Sequence, residues 1–91
     1  MTVLLPTRDL DIATAAPTLN QVRYRLDDAG RFKVILDLAL VDFVDARGLG
    51  EIVTLRSELV ARGGTLHIDR FRHRIARVLR VTDLFEVLRL R

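Results

Sequence analysis

Three short apolar runs, each leading into a stretch of helical periodicity, constrain this chain more than any other feature. "TVLLP" at residues 2–6 is β-branched, apolar and stopped by Pro6, which reads as a strand. "DIATAAPTLNQVRYRLDD" follows, and Ala15, Leu19, Val22 and Leu26 recur in it at spacings of four, three and four, which predicts an amphipathic helix. Pro17 then belongs in the first turn, where its missing N–H does no harm. Asp11 or Thr14 would cap that start and Gly30 would end the helix. "RFKVILDLAL" (31–40) is the strongest strand, with "VILDL" apolar enough to be covered on both faces. A second helix fits residues 47–62, with Leu49, Ile52, Val53, Leu59 and Val60 on one stripe and Gly63-Gly64 ending it. "TLHID" (65–69) is a third strand. "FRHRIARVLR" (71–80) is a helix with Phe71, Ile75, Val78 and Leu79 inward and its arginines outward. "LFEVLRL" (84–90) fits a last short helix or an edge strand. The alternation predicts an α/β fold, a mixed sheet of about four strands with helices packed mainly on one face.

No linker, repeat or low-complexity segment interrupts the pattern, so residues 1–91 read as one domain. The chain has no cysteine, and its two histidines, His67 and His73, are six apart, so neither a metal site nor a cofactor is expected. No apolar run approaches the ~18 residues of a membrane span, and no signal-like start is present, so the expected compartment is the cytoplasm. Charge is uneven. Residues 1–69 hold 8 basic and 10 acidic groups, whereas residues 70–91 hold seven arginines against Asp83 and Glu86. Such asymmetry raises nucleic acid or an acidic protein surface as partner. Phe71, Ile75, Val78 and Leu79 commit one face of 71–80 to the core, and no aromatics are interleaved for base stacking, which ranks nucleic acid low.

The corner "DFVDARGLGE" (42–51) carries the functional question. Its Gly-x-Gly has Val53 where a dinucleotide fingerprint needs a third glycine. Gly48 and Gly50 read instead as residues that let a helix start close against a strand. Asp42 and Asp45 are joined by no base, nucleophile or metal ligand in sequence, and Asp45 suits the positive end of a helix, so the chain is not read as an enzyme. Arg56 falls near the middle of the predicted stripe, as a snorkelling side chain, an ion pair at the edge of the core, or a sign that this face meets a partner.

Four blocks, in order, resemble the STAS domain family of anti-sigma factor antagonists. "LDIATAAP" (10–17) is similar to the family's "ELDxxTAP". "VILDLALVDFVDARGLG" (34–50) is similar to "VVLDLSGVxFxDSSGLG". "ARGGTLHI" (61–68) resembles its second helix end and following strand, and "RIARVLRVTDLFEVL" (74–88) resembles "xVRRVLExTGLDxLL". The resemblance implies a non-catalytic protein that docks an anti-sigma factor or kinase-like partner, with no cofactor. In that family the partner phosphorylates the first serine of "DSSG", and the added charge separates the two proteins. Here Ala46 stands at that serine and Arg47 at the second, so no phosphorylation is expected at the usual site. The resemblance places partner binding on Asp11, Asp45, Ala46, Arg47, Gly48 and Glu51. Family members usually carry one more strand before "TVLLP", so the sheet is expected to leave an edge open to a homodimer. The competing readings are a STAS-type subunit of a transporter-associated or stress-signalling complex and, behind it, a small basic nucleic-acid-binding protein.

Overall fold

The strand that Pro6 stops is short: Thr2–Leu4 form β1, with Val3 turned inward and Thr2 and Leu4 exposed. The computed structural model describes residues 1–29 and 33–81. Gly30 as helix terminator, the first two residues of the strongest strand and the 84–90 segment lie outside them. Asp9–Leu10 form a second strand, β2, too short for any periodicity to announce it. Asp11 then turns the chain into α1, Ala15–Ala29, whose Ala15, Leu19, Val22 and Leu26 are all buried as the spacing requires. Pro17 is its third residue.

Lys33–Asp37 form β3, in which Val34, Leu36 and Asp37 are buried and Ile35 is half-buried. The expected burial on both faces is thus incomplete at Ile35, because the helices cover one face. Phe43–Val44 form β4, α2 runs Ala46–Ala61, Thr65–Asp69 form β5, and α3 runs His73–Val81. β1, β3 and β5 make one sheet in the order β1-β3-β5, parallel at both seams, with Val3 opposite Leu36 and Leu36 opposite Ile68. β2 and β4 form a separate parallel ribbon, Asp9 opposite Phe43 and Leu10 opposite Val44. The architecture is the expected α/β sheet with helices on one face, its strands divided three and two. No helix among the described residues is long and apolar enough to cross a membrane.

α2 ends in a Schellman motif. Gly63, at φ 83°, donates to the Val60 carbonyl (3.0 Å), and Gly64 donates to that of Leu59 (2.7 Å). The buried stripe of α2 is Gly48, Leu49, Ile52, Leu55 and Leu59. This corrects the sequence-based stripe, since Leu55 belongs in it and Val60, 47% exposed, does not. Val53, Arg56 and Val60 form the neighbouring row at three- and four-residue spacing. Arg56 is therefore half-buried at the flank of the core and not at its centre. Arg23 on α1 pairs with Glu58 (2.9 Å) and Glu51 (3.7 Å) of α2, which ties the two helices together above their apolar contact. α3 buries Ile75 and Leu79, with Phe71 and Val78 packed against the core, as its pattern predicts.

Candidate functional site

The β2–β4 ribbon brings two distant segments to one corner. Both strands end side by side, so Asp11, which follows Leu10, lies beside Asp45, which follows Val44, and the Asp45 N–H donates to the Leu10 carbonyl (3.1 Å). Each aspartate then turns its carboxylate onto its own backbone. Asp11 Oδ1 accepts from the N–H groups of Ala13 (3.0 Å) and Thr14 (3.1 Å) and lies 3.0 Å from the Thr14 hydroxyl. The hydrogen bond from that hydroxyl, and then the one from the Ala13 N–H, hold the Asp11 carboxyl below the usual carboxylate range. Asp45 is the N-cap of α2, with extended backbone and Oδ1 accepting from the Gly48 N–H at 2.9 Å. Oδ1 of each carboxylate is thus spent on the start of its own helix.

Gly48 explains how closely the corner is built. A Cβ there would lie 2.2 Å from the Leu10 carbonyl oxygen, a clash with backbone that cannot swing aside. The first turn of α2 thus starts directly on the end of β2. Gly50 differs from its expected role: a Cβ at that position meets nothing within 4 Å. Helix contact with the strand needs one glycine, not two, because only Gly48 faces Leu10.

Ala46 and Arg47 occupy the first two positions of α2 and are exposed, while Asp11 and Asp45 are half-buried beneath them. The tip therefore offers a methyl group, a guanidinium and a helix N-terminus with one N–H already capped. It has no hydroxyl to accept phosphate. Glu51, grouped with the corner on sequence, sends its carboxylate toward Arg23 of α1 (3.7 Å). The structure also brings up two apolar residues that sequence reasoning left out. Ile12 is 76% exposed beside Asp11, and Phe43 on the ribbon is 48% exposed. Their composition carries no signal of this, since an isoleucine and a phenylalanine near buried neighbours read as core.

Asp42, three residues before Asp45 in sequence, faces the other way. It pairs with Arg72 (3.1 Å) and Arg8 (3.4 Å) at the opposite end of the ribbon. Next to it, Asp37 is buried at the end of β3 and holds Arg70, whose Nε donates to Oδ2 at 2.8 Å, and the Ala39 N–H (2.9 Å). The hydrogen bonds from Arg70 keep the Asp37 carboxyl below its ordinary value despite burial. Arg70 adopts φ 55°, a left-handed conformation costly for a side chain of its size, in the turn that carries this pair. Among the described residues no three His, Asp or Glu side chains gather to hold a metal ion.

The STAS domain family model matches residues 1–91. Among solved structures, the chain is similar to the crystal structure of a candidate anti-sigma factor antagonist from Thermotoga maritima, TM1081. Identity is 26%, the TM-score is 0.84, and 98% of this chain and 77% of that one are covered. The solution NMR structure of TM1081 matches at a TM-score of 0.82 and 26% identity, covering 99% of this chain and 73% of that one.

Proposed function

The chain belongs to the STAS domain family, and on that premise we propose that it is a regulatory binding protein of the anti-sigma factor antagonist type, docking its partner constitutively. The observation that carries this reading is Ala46, exposed as the first residue of α2 where the family resemblance expects a phosphorylated serine. The docking surface consists of Asp11, Asp45, Ala46, Arg47 and Gly48, with Glu51 one turn further along α2. The aspartates and Gly48 build the corner from within, while Ala46 and Arg47 are what a partner touches. The partner is an anti-sigma factor or kinase-like protein. With no acceptor at the tip, it can neither mark nor expel this chain there by phosphorylation.

Titration of the cognate anti-sigma partner tests the reading. Ala46→Asp and Arg47→Glu place negative charge on the docking surface without touching the core, and each should weaken binding about tenfold or more. Arg25→Glu, remote on α1, should not. With ATP present the wild-type corner should take up no phosphate. Unchanged affinity in both corner variants would reduce the corner to a structural turn.

The sheet edge supports one further contact. Among the described residues nothing pairs with the outer side of β1, and Leu4 on it is 45% exposed. A homodimer through that edge would make sedimentation concentration-dependent, and a Leu4→Lys variant would abolish the effect.

A further inference from the structure

At the end of the ribbon away from the corner, the carboxyl ends of β1 and β3 open into a groove of about 310 Å³. In open parallel sheets this is the side on which ligands settle. Pro6, Thr7 and Leu40 give it apolar walls, with Leu40 47% exposed, and Arg8, Asp42 and Arg72 form its charged rim. Two guanidiniums converge there on a single carboxylate. Arg8 Nη2 meets Asp42 Oδ2 at 3.4 Å, and Arg72 Nη1 meets Oδ1 at 3.1 Å, while Arg72 Nε also donates to the Ala39 carbonyl at 3.2 Å. Each guanidinium carries five N–H donors, so most remain unspent, and the rim holds one positive charge more than Asp42 neutralises. The Arg8 side chain is 84% exposed and that of Arg72 52%, so the spare donors are open to a ligand.

We propose that this groove is a carboxylate-recognition site, taking an acidic side chain flanked by an apolar one from the protein that docks at the corner. The acid sits across Arg8 and Arg72, and its apolar neighbour packs on Leu40 and Pro6. The geometry of the ribbon connects the two places. β2 and β4 are two residues long, about 7 Å, so groove and corner stand at its opposite ends with exposed Phe43 between them. One partner can span both. The assignment of the ligand to a docking partner rests on the function proposed above; the carboxylate chemistry rests on the groove itself. A paired guanidinium fork is the donor arrangement that holds a planar carboxylate in two-point contact.

The probe is the peptide acetyl-Leu-Asp-Leu-amide, titrated into the full chain and followed by proton–nitrogen correlation spectra. The expected result is a saturable shift of the Leu40 and Arg72 amides and of the Arg8 and Arg72 Nε–H signals. The acetyl-Leu-Asn-Leu-amide analogue should bind about tenfold more weakly or worse, the loss of one charged hydrogen-bonded contact. Arg8→Ala, at an exposed position that leaves folding intact, should weaken the acidic peptide by a similar factor. Asp42→Asn should strengthen it severalfold, because the internal competitor for the donors is gone. Equal binding of the two peptides, shifts spread over Arg74 and Arg77 of α3, or inorganic phosphate binding more tightly than the peptide would each overturn the proposal. Failure here is separable from failure of the docking surface: peptide binding in the groove stands even if Ala46→Asp leaves the anti-sigma partner's affinity unchanged, and its absence counts against the groove alone.

Discussion

The two ends of the β2–β4 ribbon spend the same residue type in opposite ways. At the corner, Asp11 and Asp45 satisfy backbone N–H groups within three residues of themselves. At the other end, Asp37 and Asp42 take arginines from 30 or more residues away, Arg8, Arg70 and Arg72. Local capping leaves the corner geometrically fixed, with an uncharged methyl and the Arg47 guanidinium at its tip. Long-range pairing leaves the far end with surplus cationic donors. A partner surface of mixed character suits that arrangement, apolar against Ala46, Ile12 and Phe43 and acidic toward Arg8, Arg72 and Arg47. At the tip of the proposed docking surface, Ala46 offers no hydroxyl to which a phosphate could be added.

Substitutions can break this contrast, and the largest effect is expected at the corner. Gly48→Ala pushes a methyl group into the Leu10 carbonyl and should cost about 3 kcal/mol in urea unfolding, as overpacking against immobile backbone does. Full stability in that variant would mean that α2 does not start on the end of β2.

Asp37→Asn should follow, at roughly 2 kcal/mol, because it weakens the hydrogen-bonded pair that closes the end of β3 while leaving the side chain buried. Arg70 is mostly exposed, which keeps the loss below that of a fully buried pair. The pH dependence has a defined sign. The folded Asp37 carboxyl titrates below its ordinary value, so its contribution is complete above the usual carboxylate range. That contribution is lost as pH falls through the folded value, and the gap between wild type and Asp37→Asn should close in acid. A gap that persists or widens in acid would remove the ion pair as its cause.

Asp45→Ala removes the cap of α2 and should cost about 1 kcal/mol in urea unfolding. Smallest is Gly50→Ala, two residues from Gly48 on the opposite side of the helix and facing open space, which should stabilise by roughly 0.5–1 kcal/mol through helix propensity. Opposite signs at the two glycines would establish that only one of them serves the strand contact.

Legibility in the sequence follows the same division. Ala15, Leu19, Val22 and Leu26, the Asp45 cap and the Gly63-Gly64 stop are local signals, and the chain obeys them. The ribbon was illegible because two-residue strands have no period, and without it nothing in the sequence connects residues 9–11 to 43–45 except the family resemblance. Asp37 lies inside the apolar run "VILDL", and its partner Arg70 is 33 residues away, a separation that no spacing rule covers. The apolar spacing in α2 admits Val53 and Val60, which lie on the flank, and passes over Leu55, which is buried. Exposure of Ile12 and Phe43 depends on what the fold leaves uncovered, which composition does not encode.

Amide hydrogen exchange on the complex with the anti-sigma partner tests the central claim most directly, because it maps contact without altering a residue. The expected footprint is slowed exchange at residues 11–14 and 45–51, including the amides of Ala46 and Arg47 at the exposed start of α2, with α1 residues 20–26 unchanged. Protection confined to α1 or to the outer edge of β1, with the corner exchanging as in the free chain, would contradict it.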